Sequence, residues 1–389
     1  MKNSKHRALL LLASVAAAGA ATESVFAGGV TTSSRVQSRF AAVDFVHAKP
    51  MPLPRSSAAP NLAEHAKPPA VAFGPPGVSP GGQGSGIQSP VLLGKPAFIG
   101  EAATPQAVIP KEIGTGGIPY TTSRVKAYDN DTQFFYPFRA AGRLFFSKPG
   151  DTSSYWCSAG LIKPGVIVTA AHCVANFGQQ QFYLNWTFVP AYRNGHAPYG
   201  TYTAVQATVL TSYYNGTDSC EQSGVTCQDD VAVILLNEVN NQYPGNVVGW
   251  FGYGWNGYSF NSQSQALITQ LGYTETFVDG VEYALDGGNL QERTDSQGQT
   301  MSSLSNNTLI GSLQSDGSSG GPWVVNLGQP PVLTNISLGT APNHNVIVGV
   351  TSWGYTDLTV KEQGASPFTT SNITVIVNNQ CSTAPVGAC

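Results

Sequence analysis

Short apolar or alternating runs, separated by turn residues, recur through much of this 389-residue chain from about Pro119 onwards. The runs lie between Gly, Asn, Asp and Ser residues, for example at 143–146, 166–168, 182–189, 204–210, 231–236, 266–271, 324–325 and 346–350. Many short strands at this spacing are typical of a β-barrel or β-sandwich. About 270 residues exceed what one small barrel needs, so we predict an all-β domain over residues 119–389 that contains two packed barrels.

The composition favours an exported β protein over a helical or nucleic-acid-binding one. Only 11% of the residues are charged, and there are 43 Gly and 26 Pro. The net charge of −3 divides unevenly, with +5 on residues 1–118 and −8 on residues 119–389. Because an acidic domain repels phosphate backbones, nucleic acid is not an expected partner.

The N-terminus has the pattern of a secretory signal peptide. Lys2, Lys5 and Arg7 form a basic start, residues 8–21 are mostly apolar, and Val25-Phe26-Ala27 offers a small-x-small cleavage site. The apolar run of about 14 residues is shorter than the roughly 20 that a membrane-spanning helix requires. We therefore predict a signal peptide over residues 1–27, secretion, and no membrane span in the rest of the sequence.

Residues 28–118 have the composition of a pro-segment or linker. They hold 13 of the 26 prolines and no cysteine or tryptophan. Such a segment buries too little apolar surface to offset its ordering entropy, so it is expected to be largely irregular. Two short apolar patches, at 40–46 and 91–99, are candidates for docking of this segment on the following domain.

The six cysteines all lie beyond residue 156, as expected for an oxidised, exported domain. Six cysteines allow 15 pairings. Their grouping along the sequence suggests Cys157 with Cys173, Cys220 with Cys227, and Cys381 with Cys389. Their spacing does not suit zinc and no histidine cluster accompanies them, so no metal or other cofactor is expected.

The strongest chemical signal is the segment Gly317-Ser318-Ser319-Gly320-Gly321-Pro322, which follows Thr169-Ala170-Ala171-His172-Cys173 in the chain. A nucleophilic serine must lie on a tight turn that exposes its hydroxyl. Adjacent glycines allow backbone N–H groups to face a developing oxyanion without steric interference.

A histidine that acts as general base needs a third group to orient it. The candidate is Asp230, which directly precedes the apolar run 231–236 and can be directed inward by a buried strand. Its neighbour Asp229 is expected to face solvent or to cap a turn. His196 and His344 lack a comparable context and are expected in loops.

Four blocks of sequence together resemble the chymotrypsin-like serine peptidases, in particular their secreted bacterial, glutamyl-endopeptidase-like branch. The blocks are residues 157–160, 169–173, 230–233, and 317–322 followed by 349–354, and they occur in the family's His–Asp–Ser order. The resemblance covers roughly residues 120–380. It implies two packed antiparallel six-stranded β-barrels with the active site between them.

The resemblance also implies the roles of individual residues. Ser319 would be the nucleophile, His172 the general base and then the general acid, and Asp230 the group that holds the His172 tautomer. The backbone N–H groups of Gly317 and Ser319 would form the oxyanion hole. Ser352, Trp353 and Gly354 would offer an extended edge to which substrate adds as a strand, although Trp353 could instead be a core aromatic residue.

The expected specificity pocket lacks a charged base. Leu313 falls near the base of the pocket, with Gln314 and Ser315 on its wall, so cleavage after basic residues is disfavoured. Thr351 and Ser352 stand where glutamyl-specific relatives usually have a histidine. A pocket for neutral or apolar side chains is the remaining interpretation. Ser318 replaces the aspartate that animal members carry before the nucleophile, which argues against activation by an inserted N-terminus.

The predicted function is that of a secreted, monomeric serine endopeptidase acting on protein or peptide substrates. Two alternatives stay open at the level of sequence. One is a catalytically silent binding or adhesion module on a peptidase fold, and the other is a serine esterase. Labelling of Ser319 distinguishes an endopeptidase from a catalytically silent module. The ratio of ester to peptide turnover distinguishes an endopeptidase from an esterase.

Overall fold

The computed structural model describes residues 24–25, 29–34, 43–58, 74–94, 118–125, 132–275, 288–328 and 341–389. The predicted signal peptide lies outside these residues apart from 24–25. Among the described residues, no helix has the length and apolar character needed to cross a membrane.

Seven short strands precede the main domain or lie at its start. They are β1 (Ser24–Val25), β2 (Val30–Thr32), β3 (Lys49–Pro50), β4 (Arg55–Ser56), β5 (Gly77–Ser79), β6 (Val91–Leu92) and β7 (Tyr120–Arg124). Each pairs with another strand: β1 with β2, and the other six with strands of the main domain. The described parts of the 28–118 stretch therefore lie against the domain that follows.

Six of the next nine strands form a closed antiparallel barrel. The nine are β8 (Ala141–Ser147), β9 (Ser154–Lys163), β10 (Val166–Thr169), β11 (Ala175–Asn176), β12 (Gln181–Phe182), β13 (Leu184–Pro190), β14 (His196–Ala197), β15 (Tyr202–Leu210) and β16 (Ala232–Leu236). The pairing order around the barrel is β15-β13-β8-β9-β10-β16, and β16 pairs back to β15. β16 is wholly buried, which explains its unbroken sequence Ala-Val-Ile-Leu-Leu.

Eight strands remain, and all except the first of them build the second barrel. They are β17 (Gly252–Trp255), β18 (Gln265–Gly272), β19 (Glu292–Met301), β20 (Asn307–Gly311), β21 (Pro322–Val325), β22 (Val346–Val350), β23 (Trp353–Tyr355) and β24 (Glu362–Ala365). β22 and β23 are separated by only two residues, and together they pair with β21 on one side and β24 on the other. This continuous stretch closes the ring β18-β19-β20-β24-β23/β22-β21, so the predicted two-barrel fold is confirmed.

Helices are short, and they lie outside the two barrels. The α-helices are α1 (Thr211–Asn215), α2 (Pro244–Val248) and α3 (Ile373–Thr383), and the 3-10 helices span Thr132–Phe134, Phe138–Ala140, Ala171–Cys173 and Ser302–Leu304. α3 begins at Asn372, whose Oδ1 accepts the Ile373 N–H at 2.6 Å, and it packs against β15 and β16. Capping of this kind satisfies a backbone donor that the helix itself leaves unpaired.

One apolar core joins the two barrels. A single buried cluster contains Leu144 and Ile167 of the first barrel together with Leu271 and Ile347 of the second. Gly160 of β9 lies at this junction, because a Cβ placed there would be 3.0 Å from Ile347 Cδ1. The candidate catalytic residues lie where loops from both barrels meet at the edge of this interface.

Candidate active site

Strand register brings the histidine and the aspartate together. β10 pairs with β16 so that Thr169 lies opposite Ala232, and continuation of the antiparallel pairing places Ala171 opposite Asp230. The 3-10 helix Ala171–Cys173 then turns His172 towards the carboxylate. The Cys157–Cys173 disulfide ties this turn to β9. The structure forms the same three disulfides that the sequence grouping suggests.

Asp230 holds His172 at two points. Its Oδ2 lies 2.8 Å from His172 Nδ1, and its Oδ1 accepts the backbone N–H of His172 at 2.8 Å. Ser352 Oγ donates to Oδ2 at 2.5 Å, and the Asp230 N–H donates to Ser366 Oγ at 3.1 Å. Both the imidazole and the carboxylate are buried. A carboxylate fixed in this way can set the tautomer and stabilise an imidazolium.

The turn that carries Ser319 needs glycine for steric reasons. Gly317 and Gly320 have φ of +83° and +76°, in the region that residues with a Cβ rarely adopt. A Cβ on Gly320 would be 1.9 Å from Thr169 Oγ1 and 2.4 Å from Ser158 O. The turn is therefore pressed against the segment that precedes His172, which brings nucleophile and base to the same place.

Ser319 and His172 each present one buried atom without a partner. Neither Ser319 Oγ nor His172 Nε2 has a hydrogen-bond partner among the described residues. These are the two atoms that a proton transfer would use. In unliganded enzymes the catalytic hydrogen bond is often long and tightens only in complexes, so the arrangement is compatible with a resting nucleophile and base.

The Gly317 N–H, one of the two predicted oxyanion donors, is occupied by a carbonyl from the same chain. It donates to Met51 O at 3.0 Å. The preceding Ser318 is fully buried, and its hydroxyl donates to Ser315 O at 2.5 Å. The site that an aspartate occupies in animal relatives thus contains a neutral hydroxyl bonded within the turn.

The predicted pocket residues are surrounded by neutral amides. Leu313 and Gln314 are both buried, and Gln314 Nε2 donates to Thr294 Oγ1 at 3.2 Å. Gln363 Nε2 donates to Gln314 O at 2.6 Å. Thr351 is linked to this group through Gln270, whose Nε2 donates to Thr351 Oγ1 at 2.8 Å and also to Gln363 Oε1.

The three residues of the predicted Ser-Trp-Gly edge have different roles. Ser352 supports Asp230, as described above. Trp353 is fully buried in an apolar cluster, and its Nε1 donates to Asn307 Oδ1 at 2.8 Å. Gly354 N–H donates to Pro54 O at 2.9 Å, so this edge already carries an added strand.

Two supporting residues escaped sequence analysis. Ser366 and Gln363 lie on or directly after β24, far in sequence from the serine turn. Ser366 fixes the backbone of Asp230, and Gln363 lines the predicted pocket. No local pattern marks either residue, because each acquires its partner only when the second barrel closes.

The other acidic and histidine candidates lie apart from the site. Asp229 accepts from Ser212 Oγ at 2.6 Å and donates its N–H to Asp218 Oδ2 at 2.8 Å. Burial, with nearby Asp229 adding to it, raises the pKa of Asp218 to about 7. Burial also raises the pKa of Asp229. His196 is exposed in β14, and His344 precedes β22.

Two groups of described side chains come close enough to hold a metal ion. They are Cys157, His172 and Cys173, and Asp218, Cys220 and Cys227. In each group both cysteines are joined in a disulfide, so their sulfurs are not the thiolates that bind metals.

Comparison with known proteins identifies the family. The sequence model of the Trypsin family matches residues 136–376. A curated relative, an extracellular metalloprotease of Bacillus subtilis, is 35% identical over 119 residues, which are 30% of this chain. The chain spans about a third (34%) of that relative's length.

Solved structures of peptidases are also similar. The protease Anisep from Arthrobacter nicotinovorans is 24% identical, with 63% of this chain and 96% of that chain covered and a TM-score of 0.47. A Glu endopeptidase is 18% identical, with 70% and 100% covered and a TM-score of 0.46. The family match includes all three candidate catalytic residues and more than half of the sequence, and the chain therefore belongs to the Trypsin family of serine peptidases.

Proposed function

We propose that this chain is a secreted endopeptidase in which Ser319 is the nucleophile, His172 the general base and Asp230 the orienting acid. The observation that carries the proposal is the two-point contact of Asp230 with the side chain and the backbone of His172, both at 2.8 Å. A merely structural histidine does not need its ring and its main chain fixed by one buried carboxylate while its other ring nitrogen is buried without a hydrogen-bond partner among the described residues.

The chemistry follows from these contacts. Ser319 Oγ attacks the scissile carbonyl as His172 Nε2 takes its proton, and Asp230 Oδ2 stabilises the resulting imidazolium through Nδ1–H. The tetrahedral intermediate collapses as His172 returns the proton to the leaving amine. Water then attacks the acyl-enzyme by the same route in reverse, and Ser319 is regenerated.

The backbone N–H groups of Gly317 and Ser319 are assigned to the oxyanion. They belong to the turn whose glycines are required sterically, so their direction is fixed before substrate arrives. Loss of one such donor typically costs about 3–4 kcal/mol of transition-state stabilisation.

The pocket beside the serine turn is assigned to neutral side chains. Leu313 and the amides of Gln314 and Gln363 supply no charge to it. A buried charged side chain without a countercharge would be strongly disfavoured there. A peptide library should therefore show cleavage after uncharged residues, and a clear preference for Arg, Lys or Glu would contradict this assignment.

The test of the proposal is active-site labelling. The full chain and the form that accumulates in culture medium are treated with a fluorophosphonate, beside a Ser319→Ala variant, and intact masses are read. One label per molecule of the processed form, located at Ser319 and absent from the variant, is the expected result. Folded, processed protein that takes up no label would favour the binding-module alternative. Labelling with ester but no peptide turnover would favour the esterase.

The proposal includes a division of the chain. Residues 1–27 would direct export, residues 28–118 would act as a pro-segment, and residues 119–389 would carry the activity. Sequencing of the N-terminus of the secreted protein tests the first boundary, which should fall after Ala27.

A further inference from the structure

A segment of the 28–118 stretch crosses the proposed active site from one barrel to the other. Its first part, β3, pairs with β9 of the first barrel, and the Met51 N–H donates to Trp156 O at 2.8 Å. Its last part, β4, pairs with β23 of the second barrel. Both pairings are parallel. We call residues 49–56 the cleft strand.

The cleft strand occupies groups that a substrate would need. Met51 O accepts the Gly317 N–H at 3.0 Å, within the range expected for a carbonyl in an oxyanion hole. Pro54 O accepts the Gly354 N–H at 2.9 Å, on the edge assigned to substrate addition. Ser319 is 0% exposed while the cleft strand is in this position.

The sequence of the cleft strand favours an extended form before docking. Proline stands at positions 50, 52 and 54, alternating with Met51 and Leu53. Each proline fixes φ near −65° and removes a backbone donor, so little conformational entropy is lost on docking. The bond that follows the carbonyl bound to Gly317 is Met51–Pro52, a tertiary amide whose nitrogen lies within a ring.

One acidic residue beside the nucleophile anchors the strand. Asp316 Oδ1 accepts the Leu53 N–H at 3.0 Å and lies 3.2 Å from Arg55 Nη2. The same guanidinium donates to Ser315 Oγ at 3.2 Å and to Tyr355 O at 3.3 Å. Leu53 is buried against Gly354. Asp316 thus binds this segment through charge and through the backbone.

From these contacts we infer that residues 49–56 are a built-in inhibitor that occupies the catalytic cleft, with the Arg55–Asp316 pair as its anchor. The inference rests on the proposed function, because a blocked cleft has meaning only for an active enzyme. Activation then requires release of the cleft strand, and until release Ser319 is shielded from substrates and from labelling reagents.

The experiment compares four full-length proteins: the parent, Arg55→Glu, Lys49→Glu and Ser319→Ala. Arg55→Glu places two carboxylates together at Asp316. Lys49→Glu makes the same charge change in the same strand, where the side chain donates to Ser153 Oγ at 3.2 Å and interacts electrostatically with the exposed Asp151. Fluorophosphonate labelling rates are measured at equal concentrations, with circular dichroism to verify folding.

We expect Arg55→Glu to label Ser319 on the order of 10-fold faster than the parent or more, which corresponds to about 1.4 kcal/mol of lost docking free energy. Lys49→Glu should stay within about threefold of the parent. A parent that labels as fast as Arg55→Glu, with no label on Ser319→Ala, would leave the proposed function intact and overturn the inference.

A second measurement does not depend on catalysis. Amide hydrogen exchange reports on the N–H groups of Met51, Gly354 and Thr356, which are bonded across the strand pairings, and on that of Leu53, which is bonded to Asp316 Oδ1. They should be protected in the parent and exchange faster in Arg55→Glu. If these amides exchange in the parent at unprotected rates, the cleft strand is not seated, whatever the labelling shows. Failure of Arg55→Glu to label at Ser319, although these amides exchange at unprotected rates in that variant, would instead overturn the proposed function.

Discussion

Gly320 provides the sharpest test of how the serine turn is built. Replacement by alanine adds a Cβ 1.9 Å from Thr169 Oγ1, 2.4 Å from Ser158 O and 3.0 Å from Ala170 N. The Thr169 hydroxyl donates to Ser158 O at 2.9 Å, so it cannot turn away without breaking a buried hydrogen bond. The residue would also keep a φ of +76°, which an alanine adopts only with strain.

The free-energy costs of the strained backbone, the broken hydrogen bond and the steric overlap add up. The left-handed backbone costs roughly 1–2 kcal/mol for a residue with a Cβ. Breaking the buried Thr169 hydrogen bond costs about 1–3 kcal/mol, and overpacking about 1–3 kcal/mol more. Gly320→Ala should therefore lower the free energy of unfolding by about 3–8 kcal/mol.

Gly150 offers a matched control. Its φ is +77°, and no atom lies within 4 Å of an added Cβ. Gly150→Ala should therefore cost only the backbone component, roughly 1–2 kcal/mol. Urea unfolding of both variants, followed by fluorescence, measures the difference directly.

The turn variant should also lose reactivity. A displacement of about 1 Å between catalytic groups can reduce rates on the order of 100-fold, so the labelling rate at Ser319 should fall by that order in Gly320→Ala and stay unchanged in Gly150→Ala. Equal losses of stability in the two variants would refute the argument that close approach, and not φ alone, requires glycine at this position.

Three further changes test other parts of the structure. Ser352→Ala removes one of the hydrogen bonds to Asp230 and should slow labelling on the order of 10-fold, with Ser352→Thr restoring part of the rate. Burial raises the pKa of Glu362 from 4.5 to about 8. Between pH 4.5 and about 8 the Glu362 carboxyl is therefore protonated in the native protein and ionised in the unfolded chain. The free energy of unfolding of the protein should fall as the pH rises through this range. Glu362→Gln should flatten that slope in urea titrations. Replacement of Cys157 and Cys173 by alanine opens a loop of 16 residues and should lower stability by about 3 kcal/mol in the same assay.

Much of the two-barrel fold could be predicted because its strands carry their own signal. The run 231–236 and the run 346–350 both appear as strands with nearly the predicted bounds, β16 and β22. β19 carries no such signal, since its sequence Glu-Arg-Thr-Asp-Ser-Gln-Gly-Gln-Thr-Met has no apolar side chain before the final Met301. It is a strand because β18, β20 and β7 supply partners to its backbone, which no local window of sequence reveals.

The candidate site likewise contains residues that could be predicted from the sequence and residues that could not. Local motifs marked His172 and Ser319, and the start of an apolar run marked Asp230. The acceptor of the Asp230 N–H and the partner of Asp316 could not be read from sequence, because Ser366 and Arg55 lie 136 and 261 residues away from them. Within the 28–118 stretch, sequence analysis singled out the apolar patches at 40–46 and 91–99, and Val91–Leu92 forms β6 against β14, but it did not single out the cleft strand.

Strand β2 affects whether a matured enzyme would consist of one chain or of two associated chains. Val30 is fully buried in the core of the first barrel, and β2 pairs with β15 along its length. Thr32 Oγ1 also lies 3.2 Å from Thr208 Oγ1, in the barrel wall. A cut anywhere in residues 35–42 would therefore leave a short N-terminal peptide as a separate chain that stays paired with β15. Such an enzyme would elute from a sizing column as one particle and separate into two chains only in denaturant.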